Sequence, residues 1–315
     1  MVTTDTKPKN RRVQERMLAV AVVLPIITCA CSIKKIAINS LGSALAEGSS
    51  VYERDDDPEL VGDAIPFGLK TIEALLEESP RNRKLLLAAA SGFTQYAYGW
   101  VHQEADFVED LDLDRATAMR RRAARLYLRA RDYGLRGLDM DGADFRRRLA
   151  ANPEEAIRGM KLEKKRAPLL YWTGMAWFGA ISLSRDNSEL TADQYVAKSL
   201  IDEALRLNES FDHGAIHDFY ISWESRGDAV GGSIARARKH FARAVELSDG
   251  HRAQPFVSLA ECVAVSRQNR REFETLLNQA LEIGLDRLPD ARLNNVLFQR
   301  RARWLLNRAD ELFIE

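Results

Sequence analysis

A chain of 315 residues with 46 Lys and Arg against 46 Asp and Glu is formally neutral at pH 7, which argues against a nucleic-acid binder, because such proteins usually carry a basic surplus. With 18 Gly and 9 Pro it has little material for a turn-rich β architecture, and 46% hydrophobic residues predict a mostly helical protein able to bury a substantial core. The neutrality hides two opposed blocks: residues 47–114 hold 16 acidic and 5 basic side chains, and residues 115–166 hold 7 acidic and 16 basic.

In chain order, the first feature is a basic segment with Lys7, Lys9, Arg11, Arg12 and Arg16, followed by an uncharged apolar run over residues 17–28. Such a run is shorter than the roughly 20 residues a spanning helix needs, and the pair reads as an export signal. It ends in Thr28-Cys29-Ala30-Cys31-Ser32. A small residue before a Cys is the pattern at which bacterial lipoprotein precursors are cleaved and acylated. Cys31 is therefore the expected lipidation site, with Cys29 the weaker alternative because Thr28 would occupy the cleavage position. An ordinary signal peptide or an uncleaved anchor is the plainer reading of the same segment. Ser32 after the Cys favours sorting to the outer membrane, which predicts a periplasmic, lipid-anchored protein. The expected organisation is a signal peptide over 1–30 and one helical-repeat domain over 31–315. Cleavage would leave Cys31 and Cys262 alone, with no intramolecular disulfide available, no Cys metal site, and Cys262 read as a small apolar core residue.

Helices are expected near 33–47, 59–79, 81–103, 115–138, 165–184, 192–207, 211–226, 233–248, 255–268, 271–284 and 290–313. Within them a small-x3-apolar-x2-Ala pattern recurs at Ala123/Tyr127/Ala130, Ala197/Ile201/Ala204 and Ala237/Phe241/Ala244, with a looser copy at Phe273/Leu277/Ala280. The spacings lie close to the ~34-residue period of tetratricopeptide repeats. Leu170-x2-Thr173-Gly174-x2-Trp177 fits the first helix of such a hairpin, with Gly174 at the point of close approach. The expected fold is all-α: degenerate tetratricopeptide-like hairpins around two central helices that lack charge, residues 85–103 and 167–184. Helices apolar all round are buried on several sides, and the polar residues within these two weigh against membrane spans. Their aromatics Phe93, Tyr96, Tyr98, Trp100, Trp172, Trp177 and Phe178 are core residues on the simplest reading and candidates for an apolar ligand cleft on the sharper one.

Several segments match a known family in order along the chain: Cys31-Ser32-Ile33, Asp55-Asp56-Asp57-Pro58-Glu59-Leu60, Leu86-Leu87-Ala88-Ala89-Ala90-Ser91-Gly92-Phe93-Thr94-Gln95-Tyr96-Ala97, Arg125-Leu126-Tyr127-Leu128-Arg129-Ala130-Arg131-Asp132-Tyr133-Gly134, Tyr171-Trp172, Ile181-Ser182-Leu183 and Gln299-Arg300-Arg301-Ala302-Arg303-Trp304-Leu305-Leu306. In these the chain resembles the T component of tripartite ATP-independent periplasmic (TRAP) transporters, the TatT-like lipoproteins. The resemblance implies a lipid-anchored helical protein that forms a homotrimer and docks the transporter's solute-binding P component. It also implies an apolar cleft or pore passing a hydrophobic ligand, such as a carboxylate. The alternative is a helical-repeat scaffold in envelope assembly, unconnected with transport.

Catalysis finds no support: there is no G-x-S-x-G, and His213 and His217, four apart on an expected helix, have Gly214 where a metalloprotease would have its Glu. No cofactor or metal is expected. Asp139-x-Asp141-Gly142-x-Asp144 lacks the ligands of a calcium loop and reads as turn chemistry, and Asp55-Asp56-Asp57 reads as a helix cap. Arg120, Arg121 and Arg122 are solvated or paired with the acidic residues at 104–114 on the simpler view, and are interface candidates for a neighbouring protomer or partner on the other.

Overall fold

Asp57 opens the first long helix as a cap: its carboxylate accepts from the backbone N–H of Glu59 at 3.1 Å and Leu60 at 3.0 Å, with Pro58 in the first turn where its missing N–H costs nothing. This is a computed structural model, and it describes residues 49–142, 144–160, 163–228 and 231–314. The signal segment, Cys31 and the helix expected over 33–47 lie outside the described residues. All regular structure among the described residues is helical.

A short α1 (Ser49–Glu53) precedes α2 (Pro58–Glu78) and α3 (Arg83–Tyr96), which Asn82 caps. A π-wound segment, Ala97–His102, carries α3 directly into α4 (Gln103–Val108). The chain returns along α5 (Leu113–Asp139), then makes two short helices that the sequence reading missed, α6 (Phe145–Ala151) and α7 (Pro153–Arg158). They fill the interval where Asp139, Asp141 and Asp144 act as turn and pairing residues: Asp141 binds Arg83 and Arg166, and Asp139 accepts from the N–H of Arg146. After α8 (Ala167–Ser182) and α9 (Ser188–Ala192) come α10 (Gln194–Leu207), α11 (Ala215–Glu224), α12 (Ile234–Leu247), α13 (Gln254–Leu259), α14 (Arg270–Glu282), α15 (Arg292–Asn307) and α16 (Ala309–Leu312), with α11 packed on α12 more closely than on α10.

The small residues of the recurring pattern are all closed off: Ala123, Ala130, Ala197, Ala204, Ala237, Ala244 and Ala280 are fully buried. The uncharged α8 is the centre of the main core, packed against α5, α10 and α3. Its glycines set how closely these helices approach. A Cβ at Gly174 would lie 2.5 Å from Ile201 Cγ1 and 3.0 Å from the Ala197 carbonyl oxygen on α10, and one at Gly179 would lie 2.6–2.7 Å from the Tyr127 ring on α5.

The last long helix returns to the first. Leu293 and Leu297 of α15 form a cluster with Val61 and Ile65 of α2 and with Trp100. Phe298 stacks with Tyr98 (5.8 Å), and Trp304 meets Phe107 (5.4 Å). Arginines of α15 and the residue after it bind the acidic block at the other end of the chain: Arg300 to Glu104, Arg301 to Asp106 (3.1 Å) and Arg308 to Asp110, while Arg54 holds Asp290 at 2.6 Å. The helices thus close on themselves around an interior space.

Candidate functional site

That space is a cavity of about 1280 Å³, above the roughly 300–1,000 Å³ of ordinary ligand pockets. Its walls come from α2, α3 with the π segment, α8, α11, α13 and α15, whereas α12 and α14 contribute nothing to it. The bordering residues Leu87, Ser91, Thr94 and Gln95 of α3 recur at helical spacing, and Tyr98 and His102 of the π segment continue that face, with Trp100 also bordering the chamber.

Along α8 the lining residues Tyr171, Trp172, Met175, Phe178 and Ser182 form one face, and α11 runs beside it with Asp218, Phe219, Ser222 and Trp223. Phe178 meets Phe219 at 4.7 Å and Trp223 at 5.4 Å, and Tyr171 meets Phe211 at 5.4 Å. Of the aromatics singled out from sequence, Tyr98, Trp100, Trp172 and Phe178 border the chamber. Phe93, Tyr96 and Trp177 do not, in keeping with the core reading for those three. Phe93 is buried against Tyr133 with Arg129 over its ring, Tyr96 stacks on Trp100 beneath Arg122, and Trp177 is buried under Arg131. They occupy the faces of α3 and α8 turned to the neighbouring helix layer.

Sequence reasoning missed Phe211, Phe219 and Trp223. The available signal was the aromatic-rich run 214–223, in which His217, Asp218 and Ser222 are the interruptions.

The chamber is polar at both ends of α11. Past its C-terminus stands Arg226, with the guanidinium on the Trp223 face at 3.3 Å and donating to Gln194 Oε1 at 3.1 Å; Arg185, past the end of α8, is exposed and also borders the chamber. Before its N-terminus, Asp212, His213 and Gly214 are three successive residues in the left-handed region, with φ of 45°, 53° and 89°. His213 is consequently not on a helix with His217, contrary to expectation; His217 instead meets His240 of α12, Nδ1 to Nδ1 at 2.8 Å. Burial, with His240 close by, pushes His217 down to about 4.

Below Asp212 lies a buried ion pair, Arg252 to Asp218 at 2.8 Å, each side chain 2% exposed. Burial raises the Asp218 carboxyl to about 6 against the pull of Arg252, and the surrounding protein likewise raises Asp212, whose side chain opens onto the chamber. Arg252 also donates to Gln254 Oε1 at 3.1 Å, and Asn294 Nδ2 donates to the same oxygen at 3.2 Å.

Of the interface candidates, Arg120 is engaged within the chain, by Glu109 at 2.7 Å and Asp106 at 2.9 Å, and Arg122 donates to Tyr96 Oη at 3.1 Å, whereas Arg121 is exposed. Cys262 is half-buried beside Ser222 Oγ at 3.5 Å, its thiol pushed up to about 11 by burial and thus protonated at neutral pH. Among the described residues no group of three His, Cys, Asp or Glu side chains is placed to hold a metal ion, and no helix is long and apolar enough to cross a membrane.

The chain is 26% identical over 307 residues, 92% of its own length and 95% of the relative's, to a protein of Treponema pallidum (strain Nichols) described only as uncharacterized. Residues 54–313, from the arginine that holds Asp290 to the end of the closing helices, match the family model of the TRAP transporter T-component, and the chain belongs to that family.

Proposed function

We propose that the protein is the periplasmic, lipid-anchored subunit that docks the solute-binding P component of a TRAP transporter and passes a hydrophobic ligand to it through the interior chamber. Membership of the T-component family makes it an extracytoplasmic accessory subunit of such a transporter, in a family of accessory components rather than of enzymes. The observation that carries the finer reading is the chamber: a space of about 1280 Å³ walled by Trp172, Phe178, Phe219 and Trp223 and bounded on one side by the return of α15 onto α2. A scaffold need not keep such a space, and filling it would gain stability for the fold. A carboxylate head is suited to the end where Arg185 and Arg226 stand with Gln194 and Thr191.

Co-purification of the mature protein with the solute-binding protein encoded beside it, followed by mass spectrometry of organic extracts of the complex, tests this. A stoichiometric complex carrying an apolar ligand is expected; recovery of envelope assembly factors alone overturns it in favour of the scaffold. We further propose that Cys31 carries the lipid and directs the protein to the outer membrane, so Cys31→Ser should move it from the membrane to the soluble periplasmic fraction. For the proposed homotrimer, Arg121 and Arg122 are the contact candidates, since Arg120 is spent within the chain. Arg121→Glu with Arg122→Glu should lower the mass measured by light scattering or the affinity for the P component, and retention of both removes these residues from any interface.

A further inference from the structure

The end of the chamber opposite Arg185 and Arg226 has a different chemistry, visible in its hydrogen-bond ledger. The donors there are partly engaged: Arg252 gives one N–H to Asp218 Oδ2 and another to Gln254 Oε1, and Asn294 gives one amide N–H to the same Gln254 oxygen. Beside them stand acceptors with no partner. Asp212 stands exposed on the chamber wall with no hydrogen bond or ion pair among the described residues, and buried Asp218 Oδ1 and Asn294 Oδ1 have no partner. Arg252 Nε, buried to the same degree, is likewise without a partner. His213, alongside, can serve in either sense.

Charge points the same way. Asp218 and Arg252 neutralise each other, which leaves the Asp212 carboxylate as a net negative charge; Asp290, further along the wall, is already held by Arg54. A buried acceptor left unsatisfied is costly, and Asp218, 3% exposed, is a built part of the wall. A carboxylate head would meet the repulsion of Asp212 at this end. A metal ion would find no group of three suitable side chains among the described residues. A primary ammonium supplies up to three N–H donors and one positive charge, and the apolar wall of Tyr171 and Phe211 beside Asp212 suits the methylenes next to it.

We propose that the Asp212 end of the chamber is a binding site for the ammonium head of an amphipathic amine, with Asp212 as the counter-ion and Asp218 Oδ1 and Asn294 Oδ1 as further acceptors. This rests on the chamber being a ligand compartment, the reading given above. The left-handed backbone at Asp212 makes Asn the fitting replacement, because Asn shares the tolerance of Asp for that region.

The test uses the mature protein and displacement of an apolar fluorophore by n-decylamine, n-decanol and decanoate, each below its aggregation range, on the natural sequence and on Asp212→Asn. Decylamine should bind at least about tenfold more tightly than decanol, as expected for one charge-assisted hydrogen bond. Asp212→Asn should remove that advantage while leaving decanoate unchanged. Equal affinity for amine and alcohol in the natural protein, which requires no variant to fold, overturns the proposal, as does an amine advantage that survives Asp212→Asn. If decanoate and decanol bind and the amine gains nothing, the ammonium site fails and the chamber reading stands. If none of the three displaces the fluorophore, both fail.

Discussion

Arg301 is the residue on which closure of the helices can be tested most directly. Its side chain is 10% exposed and donates to Glu261 at 2.9 and 2.5 Å and to Asp106 at 3.1 Å, with Trp304 against its plane at 5.4 Å. Arg301→Met keeps the apolar volume but strips Glu261 of its cation, whereas Asp106 retains Arg120 at 2.9 Å. Breaking a fully buried pair costs roughly 3–5 kcal/mol; Glu261 is about a third exposed, and water compensates part of its loss, so about 2–3 kcal/mol is expected. Urea unfolding followed by circular dichroism should show that loss in the midpoint at unchanged slope. Since the penalty lies in the orphaned carboxylate, adding Glu261→Gln should recover part of it. An Arg301→Met variant within about 0.5 kcal/mol of the natural protein, the range of ordinary surface changes, or a second substitution that deepens the loss, would refute the reasoning.

Two helical glycines should respond to alanine with opposite signs. Gly174→Ala forces a methyl group to 3.0 Å from a backbone oxygen and 2.5 Å from Ile201, so about 1–3 kcal/mol of overpacking should outweigh the helix-propensity gain, whereas Gly68, whose added Cβ would meet only Tyr52 Oη at 3.6 Å, should gain about 0.5–1 kcal/mol; thermal melts of both variants decide it. His217, held down at about 4 in the folded state, stays neutral where the unfolded chain takes up a proton, so its contribution is present above pH 6.5 and is lost as the pH falls from there towards 4. Between pH 7 and 5 the natural protein should therefore lose about 2 kcal/mol more stability than His217→Gln. The adjacent Asp218, raised to about 6, works in the opposite direction in that window, and the comparison with the variant isolates the histidine; parallel pH profiles would remove His217 from the account.

Much of the helical layer could be read from sequence because local physics writes it there: caps at Asp57 and Asn82, small residues where α5, α8 and α10 touch, and two long uncharged stretches that must be covered on all sides. The chamber was only half legible. The aromatic-rich helices were recognised, but which rings border the chamber depends on which neighbour covers each face, Tyr133 against Phe93 and Arg131 over Trp177, and on the left-handed run at 212–214, which ends the helix expected through His213. Neither leaves a periodic mark. The charge blocks were legible as composition and misleading as geometry. Only part of the acidic block is answered by the adjacent basic block, through Arg120 on Asp106 and Glu109 and Arg129 on Glu73; Glu104, Asp106 and Asp110 reach across nearly two hundred residues to Arg300, Arg301 and Arg308. Opposite charges distant in sequence attract whenever the fold brings them together, and here the fold does so because α15 must cover the apolar face of α2 and Trp100. The acidic stretch that looked like a surface for a partner is therefore partly the seam that joins the two ends of the chain, which leaves Arg115, Arg121, Arg122 and Arg125 of α5, exposed and with no carboxylate partner among the described residues, as charge to meet another molecule.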